Sequence, residues 1–125
     1  MGLVFEDICR QWFYEMAKKN ALPFFTGSLG RWWGPNPETR KQEEIDIMSS
    51  RSYAALFAEC KWKNTATGTE AYHDLKRKSG MFSFNENHYY ILTKTPPTSE
   101  LQKLDREQGI VKCYSLQKMI DELVV

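Results

Sequence analysis

The sequence predicts one α/β domain, on three observations. Residues 3–19 carry apolar side chains at helical spacing, residues 43–48 alternate as a strand does, and residues 53–58 form an apolar run that continues into charged residues. With 125 residues, 42% of them hydrophobic and 14% aromatic, the chain is long and apolar enough to bury a single core. No internal repeat, low-complexity tract or linker divides it, so residues 1–125 read as one domain.

In the first segment Val4, Ile8, Trp12 and Met16 recur on one face, widened by Phe5, Cys9 and Phe13, which predicts a helix docked on a sheet. Residues 22–33, rich in aromatics and glycine, predict the first strand, ending at the turn Gly34-Pro35-Asn36-Pro37. In the next strand Ile45 and Ile47 are expected on one side and Glu44, Asp46 and Met48 on the other. Ser49-Ser50-Arg51-Ser52 supplies a turn into the run from Tyr53 to Ala58, which leads to Glu59-Cys60-Lys61.

Residues 64–68 form a polar connector, and residues 69–81 predict a second helix with Tyr72, Leu75 and Ser79 or Met81 toward the core. Residues 88–93 read as a buried strand. After Pro96-Pro97, Thr98 or Ser99 caps a helix that runs through Gln108 and stops at Gly109. Residues 110–114 predict a final strand, and Ser115 caps a last helix whose apolar face is Leu116, Met119, Ile120 and Leu123.

Composition excludes several classes. A formal charge of +1 gives no overall attraction to polyanions, so any affinity for nucleic acid must come from local patches. Arg31, Arg40 and Lys41 form one candidate; Lys76, Arg77 and Lys78 form another, read as a solvated helix face. Cysteines 9, 60 and 113 are odd in number and lack a Cys-x-x-Cys unit, which fits buried free thiols in a reducing cytoplasm better than a disulfide framework or a zinc site. Glu6 and Asp7 interrupt the start too early for a signal peptide, and no run is long enough to span a membrane. His73 and His88 have no partner at ligand spacing, Ser28 and Ser83 lie in no nucleophile-elbow pattern, and Trp32, Trp33 and Trp62 read as packing residues.

The chemistry is concentrated in Asp46 and in Glu59-Cys60-Lys61. Glu59 and Lys61 project the same way from their strand, and antiparallel pairing across the intervening turn brings the carboxylates of Asp46 and Glu59 together. Like charges at close range repel unless a cation lies between them. Mg²⁺ prefers one or two carboxylates with water and substrate phosphate, and Mn²⁺ is its usual substitute. The backbone carbonyl of Cys60 would complete the coordination, and Lys61 would act on the water or the phosphate, as in metal-assisted phosphodiester hydrolysis.

Glu-Ile-Asp, about a dozen residues and then Glu-Cys-Lys resembles the PD-(D/E)xK motif of restriction-endonuclease-like nucleases, without the proline because Ile45 precedes Asp46. A closer resemblance is to the C-terminal domain of unknown function that follows the ATPase domain of archaeal-type AAA proteins, also found in bacteria. Phe5-Glu6, Gly30-Arg31-Trp32-Trp33-Gly34, Glu44-Ile45-Asp46-Ile47 and Glu59-Cys60-Lys61-Trp62 carry it, over about half of the chain. The resemblance implies a mixed central sheet flanked by helices in the order αβββαβ, a longer natural polypeptide with an N-terminal ATPase domain as partner, and DNA as the nucleic acid. It also implies that Glu6 of the first helix assists Asp46, Glu59 and Lys61; the plain alternative is a surface acid favoured by the helix dipole. With no Gly-rich phosphate loop, this chain is not expected to bind ATP by that route.

Two other readings belong to other classes. In one the acids are vestigial and the domain docks the ATPase onto DNA or a protein. In the other it is a homo-oligomer joined through Met119, Ile120 and Leu123 or through the Trp-rich strand.

Overall fold

The structure, a computed structural model, describes residues 2–24 and 27–124. In chain order these form helix α1 (Gly2–Lys18), strands β1 (Gly30–Pro35), β2 (Gln42–Arg51) and β3 (Ala54–Lys61), helix α2 (Thr69–Ser79), strand β4 (Glu86–Thr93), helix α3 (Ser99–Lys103), strand β5 (Lys112–Ser115) and helix α4 (Leu116–Leu123). A π turn over Leu104–Gln108 extends α3. The five strands lie in sequence order in one mixed sheet, antiparallel from β1 to β3 and parallel from β3 to β5. Parallel neighbours need crossover connections, which α2 and α3 provide.

β3 is central and apolar because both of its faces are covered. On one face Leu56 and Ala58 pack with Phe5, Trp12 and Phe13 of α1 and Met119 of α4. On the other, Ala55 and Phe57 meet Ala71 and Leu75 of α2 and Leu101 of α3. Lys19 fastens the first layer by donating to the carbonyls of Glu122 and Leu123 at the end of α4, where a cation suits the helix dipole.

The helix and strand order expected from the sequence is present, with local differences. The buried face of α1 is Phe5, Cys9, Trp12, Phe13 and Met16, whereas Val4 and Ile8 are exposed, so the face is turned from the one expected. The first strand is shorter than residues 22–33: it begins at Gly30, and residues 25 and 26 of that stretch lie outside the described residues. It also runs through Pro35, and the turn falls on residues 36–41, where Arg40 has φ +63° and its amide returns to the Asn36 carbonyl. β2 continues through Ser49, Ser50 and Arg51, leaving Ser52, at φ +44°, and Tyr53 as the tight turn.

Ile45 and Ile47 do not share a face. Gly30 pairs with Met48 and Trp32 with Ile45, so two β2 residues, Asp46 and Ile47, stand opposite Arg31 alone. This bulge shifts the alternation, sending Ile45 into the α2 layer and Ile47 into the α1 layer. Thr98 and Ser115 cap α3 and α4 by accepting from the amides of Leu101 and Lys118, and Gly109 at φ +63° ends the π turn. Only Met119 of the expected α4 face is buried; Ile120 and Leu123 are exposed.

These assignments fix the cost of truncation on α1. Phe13→Ala should lower stability by about 3–5 kcal/mol, whereas Val4→Ser should change it by no more than about 0.5 kcal/mol, both by urea unfolding. Equal losses would mean that α1 docks by a different face.

Candidate functional site: a fork between two strands

The β2–β3 ladder runs from Arg51–Ala54 to Ile47–Ala58 and ends there. Beyond it β2 continues with β1 as far as Gln42–Pro35, and β3 with β4 as far as Lys61–Thr93. The next residues in the shared register are Asp46 and Glu59, at the mouth of the fork. Backbone groups freed by the parting need partners, and side chains supply them. Asp46 Oδ2 accepts from the amide of Cys60 at 2.9 Å, and Lys78 Nζ of α2 donates to the Glu44 carbonyl at 2.7 Å.

Lys78 also donates to Glu59 Oε1 at 3.0 Å and lies 3.5 Å from Asp74 Oδ2. Glu59 is only 5% exposed. Burial pushes its carboxyl up, a hydrogen bond and charge repulsion from Asp46 push it further, and Lys78 offsets only part of this, leaving it at about 8. Glu59 therefore holds its proton beside the Lys78 ammonium.

Glu6 approaches from α1. Its carboxyl is raised, first by burial and then by the charge of Asp46, while Arg31 and Arg10 act in the opposite direction. Arg31 on β1 is paired with Glu44 at 2.9 Å, and its charge also reaches Glu6 and Asp46. Arg40 and Lys41 occupy the exposed β1–β2 turn. Cys60 contributes its amide to the fork, but its side chain packs in the α1 layer, and its thiol is held far above the ordinary range by neighbouring Cys9 and by burial. Lys61, two residues past Glu59 on the α2 side, lines a cleft with Asp74 and Arg77.

Lys78 is a participant that the sequence reading lacks, and Lys76-Arg77-Lys78 is not the solvated helix face expected from the sequence. Lys76 is exposed, but Arg77 pairs with Glu43 and Asp74, and Lys78 reaches into the fork. Ala71, Leu75 and Lys78 stand at i, i+4 and i+7, so the lysine falls on the helix's buried stripe. That spacing was the available signal. His73 is exposed, as expected, and His88 is paired with Glu86. Trp33 is 64% exposed on β1, whereas Trp32 packs on Phe82 and Trp62 on Phe5. All three cysteines are free, two of them buried. Among the described residues no helix is long and apolar enough to cross a membrane.

The raised Glu59 gives a signed pH dependence. Its carboxyl takes up protons near 4.5 when ordinary and near 8 in the fold, so its contribution to stability is complete below about 4.5 and is lost as pH rises through 8. In EDTA, stability relative to Glu59→Gln should decline between pH 5 and 8 by up to about 1.4 kcal/mol per pH unit. Urea unfolding of both proteins across that range measures the difference, and parallel curves would mean that Glu59 is ionised in the fold.

Similarity to other proteins agrees with this architecture. The family DUF234, archaea bacterial proteins of unknown function, matches residues 1–77, a stretch that includes Glu6, Asp46, Glu59 and Lys61. The chain is 34% identical over 106 residues to the uncharacterized protein MJECL04 of Methanocaldococcus jannaschii, covering 80% of this chain and only 23% of that protein. A crystal structure of a protein of unknown function, AF1548, superposes with a TM-score of 0.54 at 20% identity, over 90% of this chain and 62% of that one. At that identity the likeness speaks for the fold alone. With more than half of its length matched by the family model, the chain belongs to the DUF234 family.

Proposed function

We propose that this domain is a Mg²⁺-dependent nuclease of the restriction-endonuclease-like type, hydrolysing DNA phosphodiester bonds as part of a longer chain with an AAA-type ATPase domain. The observation that carries the reading is the meeting of Asp46 and Glu59 where β2 and β3 part, with Lys61 two residues on. The relative matched over 23% of its length supports the view that such a domain works within a larger protein.

The donor set fits a hard dication. Asp46 and Glu59 occupy the next register position past the ladder, and Mg²⁺ or Mn²⁺ needs only one or two protein carboxylates with water and phosphate oxygens. Among the described residues no cluster of three His, Cys, Asp or Glu side chains forms, so a site closed entirely by protein is not offered. Asp46 Oδ1, the Glu59 carboxylate and the Cys60 carbonyl would hold the ion. When bound, it would lower the proton affinity of a water and offset charge on the phosphate.

The chain's own groups do the rest. The Cys60 amide fixes the Asp46 carboxylate through one of its two oxygens. Lys78 sets the Glu59 rotamer from the side. Lys61 places an ammonium where charge grows on the phosphate, and Glu6, with its raised carboxyl, is suited to hold a proton near Asp46.

A second reading, a catalytically inactive docking module for DNA or protein, is favoured by the Lys78–Glu59 contact, which occupies the acid with a side chain of this protein, and by exposed Trp33. Nuclease activity requires that plasmid and single-stranded DNA be cut in Mn²⁺ and that Asp46→Asn and Lys61→Ala each reduce cutting by about 10²-fold or more. Calorimetric Mn²⁺ binding should disappear in Asp46→Ala. Equal cutting by wild type and Lys61→Ala, or none by either, would remove the catalytic assignment.

A further inference from the structure

Beyond Lys61 the chain passes through Lys63 and Thr67 to Gly68, the N-cap of the eleven-residue α2. Lys61, Lys63, Thr67, Glu70, Asp74 and Arg77 line an open cleft of about 630 Å³ beside the fork. Thr67 is 1% exposed, and its hydroxyl has no hydrogen-bond partner among the described residues, although its carbonyl accepts from the Thr98 amide. Valine would fill the same space without leaving a buried polar group unsatisfied, so the hydroxyl costs stability where it stands.

Glu70 shows what chemistry the cleft takes. Its carboxylate is folded back over the start of α2, accepting from the Gly68 amide at 3.2 Å, and a Cβ placed on Gly68 would lie 2.5 Å from its other oxygen. Its own amide and that of Gly68 hold it below the ordinary carboxylate range, and the charges of Lys63 and Lys61 add to this. The start of α2 thus already holds one anionic group, within the field of two lysines and beside a buried hydroxyl that the group does not engage.

We propose that this cleft is a phosphate cradle for the nucleic-acid strand engaged at Asp46 and Glu59, and that the Glu70 carboxylate is an internal stand-in which a strand phosphate displaces. A phosphate has three acceptor oxygens where the carboxylate has two, so it can satisfy the amides and lysines and also reach the Thr67 hydroxyl. Lys61 belongs both to the face of Glu59 and to the cleft, so a strand with one phosphate at the acids passes a neighbouring phosphate over the cradle. The proposal rests on the nucleic-acid part of the function given above; Asp74 and Arg77, already paired with each other, form the cleft's far wall.

The test is an amide-resolved NMR titration of the whole chain in EDTA, with inorganic phosphate in one arm and a short single-stranded DNA oligonucleotide in the other. Both should shift Thr67, Gly68 and Glu70. Glu70→Gln should tighten both interactions about threefold or more, because the competing charge is gone while an amide oxygen still caps Gly68. Lys63→Ala should weaken oligonucleotide binding and reduce its log–log salt slope by about 1. Thr67→Val should weaken binding with a melting temperature equal to or above the parent's, which separates lost contact from lost fold.

No shift at these amides with either probe, or affinities unmoved by Glu70→Gln, would overturn the cradle. Shifts with phosphate alone would overturn the assignment to a strand. Asp46→Asn separates the two ideas, since it should abolish cutting and leave these shifts intact; shifts without cutting by wild type would support the cradle while removing the nuclease.

Discussion

The structure of the site depends on one constraint: where two strands separate, their inner backbone groups lose the sheet partners they would otherwise have. Between β2 and β3 this happens immediately past Ile47–Ala58. Water could satisfy those groups at an open edge, but here the fork is roofed by α2, and the partners are ionisable side chains. Asp46 takes an amide and Lys78 takes a carbonyl, so the charges are held by the backbone before any ligand is considered. The β2 bulge belongs to the same device. An extra residue opposite Arg31 lets Ile45 and Ile47 anchor opposite layers while Asp46 is turned into the opening.

Electrostatics then decides the protonation of the pair. Burial of Glu59 and the adjacent Asp46 both favour its neutral form, and one lysine does not overcome them. The result is a proton held on Glu59 beside Lys78, with a second raised acid, Glu6, brought near by a helix from the opposite layer. Perturbed carboxyls of this kind are common at functional sites, though structural networks also produce them.

Much of this was legible in the sequence, for identifiable reasons. Strand alternation predicts Glu59 and Lys61 on one face, and the short turn after β2 predicts the antiparallel pairing that the register has, with Asp46 and Glu59 next in line past Ile47–Ala58. Ser115 and Gly109 marked element ends because their local chemistry has few other uses. What failed was whatever depended on a neighbour not visible in the window. Period-two counting puts Ile45 and Ile47 on one face, because a bulge set by β1 leaves no mark within the strand itself. Helical spacing admitted two overlapping faces on α1, and only packing against β3 chose Phe5 and Cys9 over Val4 and Ile8. Lys78 looked like one cation in a basic run because nothing local announces that a helix will roof a fork.

The sheet's mixed topology has a consequence for the order in which the molecule assembles. β1, β2 and β3 form a local meander closed by short turns, whereas β4 joins β3 in parallel only after the α2 crossover has been laid down. Local contacts generally form ahead of those that must first close a long loop. The meander therefore brings Asp46 and Glu59 together early, and Lys78 joins them with the crossover. The same ammonium bonds both the Glu44 carbonyl and Glu59, so the crossover is fastened to β2 and β3 at one point, the mouth of the fork.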